Sequence, residues 1–140
     1  MHITHDASKG QLVAYVFGQD AVAASQTDVQ LPTAIGEGSQ AVTGYTMPFA
    51  GDVVAIAYDL SAAGTTGTFT IGATIGGTED ADTTVTVGTT TTGRKIVQRG
   101  ACRFAAGDIL GAEITTGGTW DGVTADLTVV VYALLGLEGV

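Results

Sequence analysis

Residues 47–77, MPFAGDVVAIAYDLSAAGTTGTFTIGATIGG, carry the clearest structural signal in this sequence. Large apolar residues occupy every second position from Val54 to Leu60, and a similar alternation returns from Phe69 to Ile75. A period of two over this length is typical of a β-strand with one buried face. A stretch rich in Gly, Ser, Ala and Thr separates the two runs. The segment therefore predicts two strands joined by a turn, as in a hairpin, and no residue in it points to a chemical reaction.

The same alternation continues along most of the chain after residue 40. Further strands are predicted at residues 40–47, 83–87, 109–115 and 124–135, and residues 95–97 and 101–104 predict either one bulged strand or two short ones. About eight short strands with Gly-rich turns predict an all-β fold, an antiparallel β-sandwich or jelly roll. Residues 1–39 are irregular, apart from one strand predicted at 11–17. We therefore divide the chain into an N-terminal arm or long loop, residues 1–39, and a β-sandwich domain, residues 40–140.

The amino-acid composition restricts the classes of partner that this protein is expected to bind. The chain has 140 residues, a net charge of −9 and only 14% charged residues. Binding a phosphate backbone requires clustered Lys and Arg, so nucleic acid is not expected, and the acidic balance gives no reason to expect a membrane surface. No apolar run reaches the roughly 18 residues of a membrane span, and no signal peptide is predicted. The single cysteine, Cys102, excludes an intrachain disulfide and is expected to be a small buried residue.

The last predicted strand is apolar on both faces. Ala125, Leu127, Val129, Val131 and Ala133 make one face, and Val130, Tyr132 and Leu134 make the other. A strand that is apolar on both faces is normally covered on both faces. Either the N-terminal arm covers the second face, or that face meets another subunit, and we take Val130, Tyr132 and Leu134 as candidate interface residues.

Four of the five basic residues fall in one stretch, GRKIVQRGACR, as Arg94, Lys95, Arg99 and Arg103. One interpretation is a positive patch that faces an acidic partner, such as the acidic surface of a neighbouring copy. The other is local pairing with the acidic turn at 79–82, which would only balance charge. Both interpretations remain open from the sequence.

The only tryptophan, Trp120, lies in the predicted loop GGTWDG at residues 117–122. A loop tryptophan flanked by glycines can anchor a sugar or a protein partner. It can equally close one end of a sandwich, and we favour this second role. Trp120 nevertheless stays among the candidate interface residues.

The remaining polar clusters give no specific signal for chemistry. Glu79, Asp80 and Asp82 could bind Ca²⁺, but their spacing does not match a calcium loop, and a solvated acidic turn is the simpler interpretation. His2 and His5 lie near the N-terminus with too few neighbouring ligands for a metal site. No catalytic triad or phosphate-binding loop is present, and paired carboxylates for glycoside hydrolysis lack an aromatic-rich setting. We expect no enzyme activity, cofactor or metal.

Two stretches carry a resemblance to a known family. Residues 48–54, PFAGDVV, with the later TFTI, resemble a P-x-x-G-x-(V/I)-V start followed by a T-(F/L)-T-(I/V) strand in β-sandwich proteins of phage virions. Residues 104–111, FAAGDILG, and 124–129, TADLTV, are similar to the second half of those proteins. The resemblance covers residues 46–135.

The resemblance implies a non-enzymatic virion structural protein. Members of this family are capsid decoration (cement) proteins, head fibres and tail-fibre or receptor-binding modules, and many are trimers. The short chain and irregular arm favour a decoration protein that stabilises the capsid surface as a homotrimer bound to the major capsid protein. The alternative is a tail-fibre or receptor-binding module that recognises host glycan through the loop at 116–121.

Overall fold

The computed structural model describes residues 10–34 and 42–136, and its strands form two antiparallel sheets that pack against each other. Strand makes up 51% of the structure, which contains no α-helix in the described residues. The predicted all-β antiparallel sandwich is confirmed. The described residues form eleven strands, where about eight were predicted.

The strands are, in chain order, β1 (Gln11–Gln19), β2 (Val29–Gln30), β3 (Tyr45–Thr46), β4 (Gly51–Leu60), β5 (Phe69–Ile75), β6 (Thr78–Glu79), β7 (Val85–Val87), β8 (Thr92–Ile96), β9 (Arg103–Phe104), β10 (Ile109–Thr116) and β11 (Leu127–Leu135). Sheet A has the order β1-β11-β4-β8, and β9 also pairs with β4. Sheet B has the order β2-β10-β5-β6, with β3 on β10 and β7 on β5. The strands β2 and β6 were not predicted, because each has only two residues and is too short to show a period.

The prediction that β4 and β5 form a hairpin is wrong, because the two strands belong to different sheets. β4 pairs with β11, β8 and β9, whereas β5 pairs with β10, β6 and β7. The connection at residues 61–68 crosses from one sheet to the other, so both strands direct their large apolar side chains into one core. Ile56 of β4 and Ile71 of β5, for example, are each fully buried.

The connection from β10 to β11 also crosses between the sheets. As a result β4 pairs with β11 in sheet A along its whole length, and β5 pairs with β10 in sheet B. A bulge between Tyr132 and Ala133 interrupts the β4–β11 register. These two pairings make the centre of each sheet.

The N-terminal part of the chain contributes to both sheets. β1 pairs with β11 over nine residue pairs, and β2 pairs with β10. Phe17, Val22 and Leu31 are fully buried in the common core. The segment between β1 and β2 is irregular, since Ala21, Ser25 and Asp28 have positive φ angles of 51°, 59° and 48°. The predicted boundary between residues 39 and 40 lies outside the described residues.

Candidate interaction surfaces

The outer side of sheet A is apolar across four strands. In β11, Val129 and Val131 are fully buried in the core, whereas Val130 and Tyr132 point outward and are half-buried. The neighbouring strands place small or apolar residues beside them, because Val130 pairs with Val16 and Ala57, and Tyr132 pairs with Ala14 and Ala55. We call this surface the apolar face; it consists of Leu12, Ala14, Val16, Ala55, Ala57, Ile96, Val130, Tyr132 and Leu134.

The apolar face is exposed to solvent at both edges of the sheet. Leu12 of the edge strand β1 is 58% exposed, and Ile96 of β8 at the opposite edge is 68% exposed. Contiguous apolar surface of this kind usually marks an interaction site in a protein of this size. The candidate residues Val130, Tyr132 and Leu134 all lie on this face, between its two exposed edges.

A shallow trough runs along the middle of the apolar face. Ala55 and Ala57 of β4 form its floor, because Tyr132 of β11 and Ile96 of β8 stand on either side. The trough is a cavity of about 380 Å³, with Leu12, Val54, Ile56 and Arg94 completing its lining. Small residues between larger ones give the face a ridge and a depression, which is a shape that another protein surface can fill.

The four basic residues of the stretch 94–103 do not form one patch. Arg94 pairs with Ala57 across β4 and β8, so it borders the trough, and it is exposed. Lys95 points to the other side of the strand, where its Nζ donates a hydrogen bond to the carbonyl oxygen of Thr84 at 3.2 Å. Arg99 and Arg103 turn instead to a carboxylate at the start of β4.

That carboxylate is Asp52, which is only 9% exposed. The Nε atoms of Arg99 and Arg103 each lie 3.6 Å from one of its oxygens. Both arginines are well exposed, and exposed ion pairs contribute at most about 1 kcal/mol each. Local pairing therefore occurs for two of the four residues, with Asp52 rather than with the acidic turn at 79–82.

Trp120 is buried inside one end of the sandwich. Its side chain is 3% exposed, and its ring packs edge-on against Phe69 with centroids 4.8 Å apart. Its indole N–H donates to the carbonyl oxygen of Val22 at 3.1 Å. In this position Trp120 closes the core and offers almost no area to a partner.

The outer side of sheet B carries an acidic groove that sequence analysis did not identify. Asp28, Glu79 and Glu113 line it together with Gly77 and Thr78, around a cavity of about 410 Å³. Burial, followed by the charges of Glu79 and Asp28, raises the pKa of Glu113. Burial is also the main cause of the raised pKa of Glu79, which Asp28 and Asp80 raise further.

The alternation of β10 alone places Glu113 on the outer side, since Ala112 and Ile114 are both fully buried. Sequence could not place it beside Glu79, because this depends on the strand register. Glu113 pairs with Gly72 of β5, and the side chain of Glu79 lies over that glycine, where a Cβ atom would collide with it. The Nε2 of Gln30 donates to Glu113 Oε2 at 3.0 Å.

The predicted acidic turn at residues 79–82 has two separate roles. Glu79 faces the groove, whereas Asp80 caps a 3-10 helix at Ala81–Thr83 by accepting a hydrogen bond from the backbone N–H of Asp82 at 2.9 Å. In residues 10–34 and 42–136 no group of three or more His, Cys, Asp or Glu side chains is arranged so that it could hold a metal ion. His2 and His5 lie outside the described residues.

Comparison with protein-family models and with curated proteins finds no match. The resemblance to phage virion proteins therefore stays a prediction from sequence. No helix in the described part of the chain is long and apolar enough to cross a membrane.

Proposed function

We propose that this protein is a non-enzymatic structural protein that acts by assembly, as a homotrimeric decoration protein on a phage capsid. In this proposal the protein binds the major capsid protein at the virion surface and stabilises the shell. The observation that carries the assembly role is the apolar face of sheet A, with Leu12 58% and Ile96 68% exposed at its edges.

Two further features support the proposal. The resemblance of residues 46–135 to virion β-sandwich proteins supports a role in the virion, and the short chain with its irregular arm favours the capsid surface. Trp120, the residue best suited to hold a sugar, is buried and fills the core instead. The alternative of a glycan-binding tail-fibre module therefore takes second place, and a glycan-binding role would need another surface of the sandwich.

Binding to capsids tests the proposal. The labelled protein is mixed with expanded capsids assembled from the major capsid protein of the same phage genome, and the capsids are sedimented. We expect saturable co-sedimentation and a higher temperature of capsid disruption. Capsids saturated beforehand with unlabelled protein are the control and should bind no label. A failure to co-sediment, or saturable binding to host cells instead of capsids, would overturn the capsid role.

A further inference from the structure

We infer that the apolar face of sheet A is the surface on which a second copy of this chain docks, with Arg94 of one copy facing Asp59 of the other. The inference deepens the proposed function and rests on it, since it names the partner of the same surface. Three observations support another copy as the binding partner of this face. They are the shape of the face, the charged residues beside it and the negative charge of the rest of the molecule.

The shape of the apolar face is complementary to itself. Tyr132 and Ile96 form ridges on either side of a floor made by Ala55 and Ala57. When copies meet around a three-fold axis, a ridge of one copy enters the trough of the next. The contact then runs head to tail and closes into a ring, as the proposed trimer requires.

The charged residues Asp59 and Arg94, which border the apolar face, can pair between copies. Asp59 lies on the outer side of β4, because the flanking Tyr58 and Leu60 are buried, and it pairs with Thr92 of β8. Arg94 lies two residues further along β8 on the same side. Both side chains are exposed, and among the described residues no ion pair joins the two. One copy thus presents a cation to one neighbouring copy and an anion to the other.

The net negative charge of the molecule disfavours contact between copies through surfaces other than the apolar face. The chain carries a net charge of −9, so two copies repel each other at most orientations. The outer side of sheet B would bring Asp28, Glu79 and Glu113 of both copies together. At the border of the apolar face, by contrast, Asp52 is already paired with two arginines, and Arg94 offsets Asp59.

Sedimentation equilibrium over a range of concentrations tests the inference with the full chain. We expect the wild-type protein to form an oligomer, and Ile96→Glu or Leu12→Glu to weaken its apparent association constant by about tenfold or more, because each places a charge in the interface. Val123→Glu is the matched control, since Val123 is 46% exposed and lies outside the apolar face. The urea unfolding curve of each variant shows whether the fold is retained.

A charge exchange tests the paired residues. Arg94→Asp and Asp59→Arg should each weaken association, and the double variant should restore it to within a few-fold of the wild type. A wild-type protein that is monomeric throughout, or an unchanged mass for both Ile96→Glu and Leu12→Glu, would overturn the inference. Lack of restoration in the double variant would overturn the Arg94–Asp59 contact. A self-associating protein that does not bind capsids would contradict the capsid role alone. A monomer that binds capsids through the apolar face would contradict this inference and the homotrimer, but not the capsid role.

Discussion

The indole N–H of Trp120 donates a hydrogen bond to the carbonyl oxygen of Val22 at 3.1 Å, and so connects two loops 98 residues apart in the chain. The same ring packs against Phe69, the first residue of β5. A Cβ atom on Gly64 would collide with the ring, so the connection between β4 and β5 also contacts the ring closely. Trp120 therefore joins the N-terminal segment, the β4–β5 connection and the β10–β11 loop at one end of the sandwich.

Trp120→Ala should lower the free energy of unfolding by about 3–5 kcal/mol, the cost of a large cavity in a core. Trp120→Phe should lower it less, since part of the ring volume stays while the hydrogen bond to Val22 is lost. Urea denaturation followed by circular dichroism measures both effects. Val123→Ala, at an exposed position of the same loop region, is the control and should change stability little. A loss below about 1 kcal/mol for Trp120→Ala would contradict the core role.

Sequence alone predicted the fold class because alternation is a local property. The run from Val54 to Leu60 and the run from Phe69 to Ile75 each occur in a strand, β4 and β5. The partners of each strand are not local, so the predicted hairpin was wrong. Nothing in the turn-forming residues between them indicates that residues 61–68 cross to the other sheet.

The same distinction between local alternation and non-local strand pairing applies to the candidate surfaces. Alternation placed Val130, Tyr132 and Leu134 on one side of the last strand, and they do lie together on the outer side of sheet A. Ile96 and Leu12 could not be added, because their positions beside β4 and β11 depend on pairings between distant segments. The acidic groove was missed for this reason too.

Thr83 is a buried polar residue whose loss should be costly. It is fully buried, and its Oγ1 accepts a hydrogen bond from the backbone N–H of Ala73 at 2.8 Å and donates one to the carbonyl oxygen of Asp80 at 2.7 Å. Thr83→Val keeps the shape but leaves both backbone groups without this partner, so we expect a loss of about 1–3 kcal/mol in urea denaturation. Thr86→Val, at an exposed position of β7, should stay within about 0.5 kcal/mol of the wild type. Equal effects of the two substitutions would show that these hydrogen bonds do not stabilise the fold.

Cys102 should react with thiol reagents only when the sandwich opens. The side chain is fully buried, and burial, followed by the nearby charge of Asp80, raises its pKa to about 12. At pH 8 the thiolate, which is the reactive form, is therefore scarce as well as inaccessible. We expect labelling by a disulfide reagent to be slow in native protein and fast in guanidinium chloride. Native labelling at the rate of the denatured chain would contradict this placement.

Asp121 should stabilise the fold at neutral pH and lose this effect in acid. Its carboxylate accepts hydrogen bonds from the Oγ1 and the backbone N–H of Thr65, the latter at 2.8 Å, and from the N–H of Thr66 at 3.0 Å. The Thr65 hydroxyl, then these amides, lower the pKa of Asp121 in the folded state. The stabilisation is therefore present above the unfolded pKa of about 3.9 and is lost as the pH falls through the folded value.

Asp121→Asn should accordingly lower stability at pH 7 and remove part of the decline below about pH 4. Urea denaturation at a series of pH values measures both. Asp20→Asn, at an exposed position, is the matched control. If Asp121→Asn has the same stability and the same acid dependence as this control, the hydrogen bonds to Thr65 and Thr66 contribute nothing.

Glu113 should have the opposite pH dependence. Burial and the charges of Glu79 and Asp28 raise its folded pKa, so its favourable contribution is complete below the unfolded pKa of about 4.3 and is lost as the pH rises through the folded value. Glu113→Gln keeps an oxygen that can accept the hydrogen bond from Gln30 but carries no charge. The variant should therefore be more stable than the wild type at pH 7, and the difference should shrink as the pH approaches 4.

The repulsion between Glu113 and Glu79 gives this prediction an internal control. Neutralising either residue removes the same unfavourable pair, so the gains of Glu113→Gln and Glu79→Gln at pH 7 should be less than additive in the double variant. Urea denaturation of the wild type, the two single variants and the double variant, at pH 7 and at pH 4, measures the coupling free energy between the two side chains. This coupling should disappear at pH 4, where both carboxyls become largely protonated. A coupling that is the same at both pH values would mean that packing or hydrogen bonding, rather than charge, links the two side chains.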